Sequence, residues 1–161
     1  MSGPDLSYGV VSRDELLSQD GLTLLNRMIR GELPAPPIAE LLGIRLTEAE
    51  HGRCVFTGLP SFKHYNPSSQ VHGGFALSIM DSALGCAIHT TLAAGETYTT
   101  LEIKVNMVRG MSENTGEVRA EGHVLHRGRT TATADGKLTD ADGRLLAHAV
   151  TTCMIFPAAK A

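Results

Sequence analysis

The chain has 161 residues, which fits one domain built around one core. Its 14 Lys and Arg against 17 Asp and Glu leave a formal net charge of -3 with neither sign gathered into a block, so no basic nucleic-acid face and no acidic tail is present. Three scattered cysteines, Cys54, Cys86 and Cys153, form no CxxC pair, which argues against a disulfide framework or a cysteine zinc site and for reduced thiols in a cytoplasmic core.

Residues 1–10 lack the basic start and apolar run of a secretory signal. Ser12-Arg13-Asp14-Glu15 has the form of a helix capping box. Leu16, Leu17, Leu24, Leu25 and Met28 continue it as one apolar stripe, so the spacing predicts a single helix stopping before Pro34. Pro34-Ala35-Pro36-Pro37 makes a stiff connector into a short turn that ends at Gly43. Residues 1–36 therefore read as an N-terminal helical extension docked on a domain spanning 37–161.

From Gly43 the period changes to two. Ile44 and Leu46 alternate with polar neighbours, His51-Gly52 supplies a turn, and residues 53–59 return as the second strand of a hairpin. A loop over 60–69 leads to His72-Gly73-Gly74, and a long helix is predicted over 74–93. Its length approaches a membrane span, but Asp81, His89 and several hydroxyls mark it as a helix enclosed by other structure. The remaining segments alternate as half-buried antiparallel strands. In the first of them Leu101, Ile103, Val105 and Met107 are expected on one face; the next covers Val118 to Val124, and residues 130–139 and 144–156 are joined by a hairpin at Asp142-Gly143. The order of two strands, a long helix, then further strands predicts an α+β domain in which one curved antiparallel sheet wraps one central helix.

Several chemistries find no support. Gly136-Lys137 lacks the rest of a phosphate-binding loop, and neither GxGxxG nor GxSxG occurs. His123 and His126, three apart on a strand, are expected on opposite faces and so cannot clasp a metal. No metal and no cofactor is implied.

Asp81 is the one acidic residue between Val71 and Gly95. A carboxylate in so apolar a stretch must be satisfied by neighbouring hydroxyls, paired with a cation, or kept for chemistry as a base or nucleophile. The His72-Gly73-Gly74 turn sits where backbone amides lack helical partners and the helix dipole adds positive potential, so the Gly73 amide can hold a developing oxyanion; alternatively, the glycines merely permit a tight turn capped by His72. Eight helical residues separate Gly73 from Asp81, about 12 Å at 1.5 Å per residue. A reacting carbonyl lies about 3 Å from both groups, so a shared site requires Gly73 of one subunit and Asp81 of another.

Asn66, His72-Gly73-Gly74 and Asp81, in the spacing N-x5-HGG-x6-D, resemble the PaaI-type acyl-CoA thioesterases of the hotdog fold. The Thr99-Thr100-Leu101-Glu102 strand and the Val124 to Arg129 turn follow the same pattern, and the resemblance spans residues 38–156. It implies hydrolysis of a small or medium-chain, or aryl, acyl-CoA to free acid and CoA, with CoA entering only as part of the substrate. It further implies a homo-oligomer, a dimer at minimum and a dimer of dimers by family habit, with active sites at the dimer interface. By the same resemblance Asp81 is the catalytic base or nucleophile and Gly73, followed by Gly74, supplies the amide that polarises the carbonyl. Asn66 positions carbonyl or water, Thr100 stands where some members orient the water with serine, and His72 contacts the thioester sulfur or makes a structural hydrogen bond. Arg127 and Arg129, flanking Gly128, are candidates for the CoA phosphates or else a solvated hairpin tip. The acyl group is not named by the sequence, because pocket size depends on where Met80, Leu84 and Ile88 point and on the partner subunit; the extension either shapes that pocket or covers a sheet edge. A non-catalytic acyl-CoA sensor on the same scaffold and an acyl-thioester hydratase are the competing readings. Retention of Asp81 beside the HGG turn favours the hydrolase.

Overall fold

The computed structural model describes residues 6–158; residues 1–5 of the extension and 159–161 of the domain lie outside them. Ser12 caps the first helix, α1 (Arg13–Leu17), its hydroxyl accepting from the Glu15 amide at 3.2 Å. The one helix expected up to Pro34 is in fact two. Asp20 turns extended, and its carboxylate accepts from the Thr23 amide (2.9 Å) and hydroxyl (2.8 Å), opening a new helix, α2 (Gly21–Ile29). The restart lets Leu24 and Leu25 face the domain, where both are buried. After α3 (Pro37–Leu42), Gly43 takes a left-handed φ of 61° and the chain enters the sheet.

Six antiparallel strands follow: β1 (Ile44–Glu50), β2 (Arg53–Gly58), β3 (Glu96–Met107), β4 (Val118–Arg127), β5 (Thr131–Thr139) and β6 (Leu145–Pro157). They pair in the order β1-β2-β4-β5-β6-β3, so β1 and β3 are the edges. The sheet curls around α4 (Gly73–His89), which touches every strand. This is the predicted α+β hotdog arrangement. Helix α4 buries Phe75, Ile79, Met80, Leu84 and Ile88 on most of its circumference. Each such side chain contributes roughly 1.5–3 kcal/mol by leaving water. Met80, Leu84 and Ile88, whose direction the sequence leaves open, point into the core and are wholly enclosed. Helix α4 also ends earlier than predicted, because the Thr90 and Thr91 hydroxyls turn back onto the Ala87 (2.6 Å) and Ile88 (2.7 Å) carbonyls.

Two contacts fix the helix against the sheet. Gly122 of β4 and Gly136 of β5 are directly paired. A Cβ on Gly122 would lie 2.7 Å from the Ala83 carbonyl oxygen, and one on Gly136 2.7 Å from Leu84 Cδ1, so α4 rests on bare backbone there.

The strands depart from strict alternation at two bulges. In β3 the register with β6 slips between Thr100 and Glu102, leaving Leu101 as the extra residue, 59% exposed. Leu101 therefore does not share a face with Ile103 and Val105, contrary to the alternation read from the sequence. In β4 the slip falls between Val124 and His126. His123 and His126 are both exposed, so the opposite-face argument does not hold across that bulge. Among the described residues no helix is long and apolar enough to cross a membrane.

The extension packs over β1 and the far end of α4. The Gly21 amide donates to the Leu92 carbonyl at 3.0 Å and the Asn26 side chain to the Ala49 carbonyl of β1 at 3.5 Å. It both covers the β1 edge and, as described below, roofs a cavity.

Candidate active site

Asp81 lies half-buried in the middle of α4, on the side turned toward β3. The Thr100 hydroxyl donates to its Oδ1 at 3.1 Å. That contact depends on the bulge at Leu101, which restores an inward phase for Ile103 and Val105 while leaving Thr100 inward before it. Thr100 is in turn approached by the buried Cys153 thiol at 3.8 Å. The nearby serines are spent within the helix: Ser78 donates to the Gly74 carbonyl at 2.8 Å and Ser82 to the Ser78 carbonyl at 2.9 Å. One carboxylate oxygen of Asp81 is thus oriented by a hydroxyl, and no protein cation is paired with it among the described residues.

Beneath this pair lies Tyr98, two residues before Thr100 on the same face of β3. A Cβ on Gly85, one helical turn after Asp81, would lie 2.9 Å from the Tyr98 hydroxyl, so glycine provides the notch in which the phenol sits. Burial, reinforced by Cys86, Cys153 and Asp81 nearby, pushes the Tyr98 phenol well above its ordinary pKa and keeps it neutral. Burial together with the Asp81 charge also raises the Cys153 thiol, despite opposing hydrogen bonds from Thr100 and Thr151. Tyr98 and Cys153 were missed by the sequence argument. The two-residue step from Thr100 to Tyr98 is the signal that could have found the tyrosine.

Gly73 is the first residue of α4, and its amide has no hydrogen-bond partner among the described residues. His72 caps the helix, its Nδ1 accepting from the Gly74 amide at 2.8 Å. This is the structural hydrogen bond considered for His72, made through Nδ1, and the Gly73 amide beside it is the free donor of the turn. Met107, at the far end of β3, passes over it, its Cε 3.3 Å from where a Gly73 Cβ would be. Asn66 organises the preceding loop: its Oδ1 accepts from the Ser68 (2.9 Å) and Gln70 (3.2 Å) amides. Only its side-chain amide remains to act as a donor. Gly73 and Asp81 are on one helix and face the same strand, but the chain does not bring them together.

The Arg127-Gly128-Arg129 turn is at the opposite end of α4. Arg127 pairs with Glu96 at 2.7 Å and donates to the Gly128 carbonyl. Burial works against the Glu96 carboxylate, but the Ala93 amide and the Arg127 guanidinium outweigh it and hold its pKa low. A phosphate would have to compete with that pair for Arg127. Arg129 is exposed and unpaired among the described residues. The three cysteines are free, and among the described residues no cluster of three or more His, Cys, Asp or Glu could hold a metal ion.

Comparison with known proteins identifies the family. The model of the Thioesterase superfamily matches residues 69–147, which include the HGG turn, Asp81 and Thr100. A protein of Saccharolobus solfataricus named "Putative esterase" is 32% identical over 117 residues, 72% of this chain and 81% of that protein. The 1,4-dihydroxy-2-naphthoyl-CoA hydrolase of Listeria monocytogenes is 27% identical over 109 residues, 68% of this chain and 87% of that one. The crystal structure of a phenylacetic acid degradation-related protein from Ralstonia eutropha JMP134 aligns with a TM-score of 0.73 at 30% identity, covering 81% of this chain and 98% of that one. With a family model spanning the HGG turn and Asp81, and a relative 32% identical over most of both chains, the chain belongs to the thioesterase superfamily.

Proposed function

We propose that the protein hydrolyses acyl-CoA thioesters of small or medium-chain, or aryl, acids to free acid and CoA, at sites shared between two copies of the chain. The observation that carries this reading is the half-buried Asp81 carboxylate, oriented by Thr100 at 3.1 Å and free of any cationic partner among the described residues. The thioester carbonyl accepts from the Gly73 amide, and Asp81 takes a proton from water as it adds to the carbonyl carbon. As the C–S bond breaks, the thiolate of CoA leaves and takes up that proton. In the nucleophilic variant Asp81 adds first and water cleaves the resulting anhydride. Arg129, with Arg127 when released from Glu96, faces the nucleotide phosphates.

The β3 edge supports a specific pairing of the two copies. β3 is twelve residues long and has β6 on one side and no strand on the other. Exposed Glu102 and Lys104 flank Ile103. An antiparallel two-fold centred on Ile103 sets Glu102 of each copy opposite Lys104 of the other, whereas a centre on Lys104 would oppose like charges. The favoured register places Met107, and the Gly73 amide beneath it, at the level of Thr99 and Thr100 of the second copy, where Asp81 waits. On the adjacent strand the exposed Val150, Met154 and Phe156 offer an apolar strip through which dimers pair into a dimer of dimers. Three unpaired thiols suit the reducing cytoplasm.

Thiol release from a panel of acyl-CoA esters tests the activity. Asp81→Ala is expected to lower kcat at least ~100-fold with substrate binding largely retained. Near-normal turnover in that variant would remove Asp81 from the chemistry, and binding without thiol release in the unaltered protein would favour a sensor.

A further inference from the structure

An apolar cavity of about 280 Å³ lies beneath the N-terminal extension, closed below by the last turns of α4. Close-packed interiors keep few voids larger than a water molecule, and this one approaches the lower end of small-molecule pockets. Met28 and Gly9 of the extension form its roof, Phe56 of β2 a side, and Cys86 and His89 its contact with α4. Polar character is scarce. Arg45 contributes to one wall, and burial lowers the pKa of His89, leaving a neutral ring set against Tyr98 with centroids 5.5 Å apart.

Two of the cavity's lining residues, Cys86 and His89, lie on α4 beyond Asp81. While most of α4 is fully buried, Ser78, Asp81, Ser82, Cys86 and His89 are half-buried, and at about 100° per residue they fall on one stripe about 140° wide. The extension covers the far end of that stripe. From Asp81 it is five residues to Cys86 and eight to His89, about 7.5 and 12 Å along the axis. An extended aliphatic chain advances about 1.25 Å per carbon. A chain whose carbonyl is at Asp81 therefore enters the cavity near its sixth carbon and reaches its end near its tenth.

We propose that this cavity is the tail subsite of the thioesterase, taking the unbranched apolar end of a medium-chain acyl group, and that the N-terminal extension sets the chain length. The inference rests on the hydrolase reading and adds the substrate class. It assigns the tail to the protomer that supplies Asp81.

The test is kcat/KM for butyryl-, hexanoyl-, octanoyl-, decanoyl- and dodecanoyl-CoA. Each methylene entering the cavity is worth up to about fourfold, so kcat/KM rises from hexanoyl to decanoyl and then levels. Met28→Trp, which fills the roof, cuts the decanoyl value about tenfold through KM and leaves butyryl within about twofold. Met28→Ala, which enlarges the space, moves the optimum to a longer chain. An unchanged decanoyl-to-butyryl ratio in both variants overturns the proposal. Calorimetric titration with the non-hydrolysable decyl-CoA thioether separates the two levels. If no ester releases thiol, the hydrolase reading fails, yet thioether binding that Met28→Trp abolishes upholds the tail subsite; thioether binding indifferent to Met28→Trp sinks it.

Discussion

The two edges of the sheet are treated in opposite ways. β1 is seven residues long, covered by α2, and edged with charge: Glu48 and Glu50 pair with Arg53 at 2.7 and 3.1 Å, and Arg53 bonds Glu121 at 2.5 Å. β3 is twelve residues long, carries one compact Glu-Ile-Lys triplet, and presents exposed Leu101, Met107 and Val108 beside it. An unprotected edge invites pairing, and charge, shortness and covering segments suppress it. The difference fits the proposed pairing: β1 is guarded against a further strand, β3 is open to one, and Asp81 and Gly73 both lie beside β3.

The largest effect that could break this contrast comes from subunit mixing. Gly73→Pro suits the first position of a helix while deleting the amide N–H, so it is expected to lower kcat ~100-fold or more. Subunits of that variant exchanged with Asp81→Ala subunits rebuild one intact site in each mixed dimer. Activity then returns to about a quarter of the unaltered level. A mixture as inactive as its parents would mean that each chain carries a whole site and that β3 is not the working edge.

A smaller effect sharpens the register. Lys104→Glu or Glu102→Lys alone puts like charges across the seam and is expected to weaken dimerisation about tenfold, read by sedimentation at moderate salt. The double exchange of both residues restores opposite charges and should return affinity to within about threefold. Equal weakening in single and double variants argues for another register.

The smallest effect belongs to the β1 side. Glu121 loses some favour by burial, but Arg119 and Arg53 prevail and hold its pKa at about 2, against an ordinary value of 4.5. A depressed carboxylate stabilises the fold above its unfolded pKa and loses that contribution as pH falls through the folded one. Urea titrations of the unaltered protein should therefore show a loss of stability between about pH 4.5 and 2 that is shallower in Glu121→Gln, while the dimer at neutral pH is unaffected. Parallel acid profiles for the two proteins would show the network to be inert.

Much of this was readable before any coordinates. The capping box at Ser12, the start of α4 at the HGG turn and the hairpin at Asp142-Gly143 are local signals, and local signals are written in adjacent residues. The break at Asp20 was also local, since an aspartate three residues before a threonine is itself a cap, but a continuous leucine stripe concealed it. The bulge at Leu101 was not legible. The run from Tyr98 to Val105 reads as a strand with or without an extra residue, because the slip is defined only against β6. Likewise the tie between Arg127 and Glu96, 31 residues apart in sequence, belongs to the closed sheet. For the candidate site, Asp81 stood out as the one acid in an apolar stretch and Gly73 as the start of a helix, and their placement on one helix is as read. The Tyr98 notch at Gly85 and the cavity under the extension needed packing.

At Gly122 strand main chain meets helix main chain, a Cβ there falling 2.7 Å from the Ala83 carbonyl oxygen. A helix leaning on side chains can sink or rise as those side chains flex, but main chain against main chain has no such give. Seated there on bare backbone, α4 has its depth gauged by the strand behind it, and the Asp81 carboxylate inherits that depth. A lone methyl at residue 122, touching no reacting atom, would lift the whole rod by a fraction of an ångström and unseat Asp81 from Thr100 on its opposite flank.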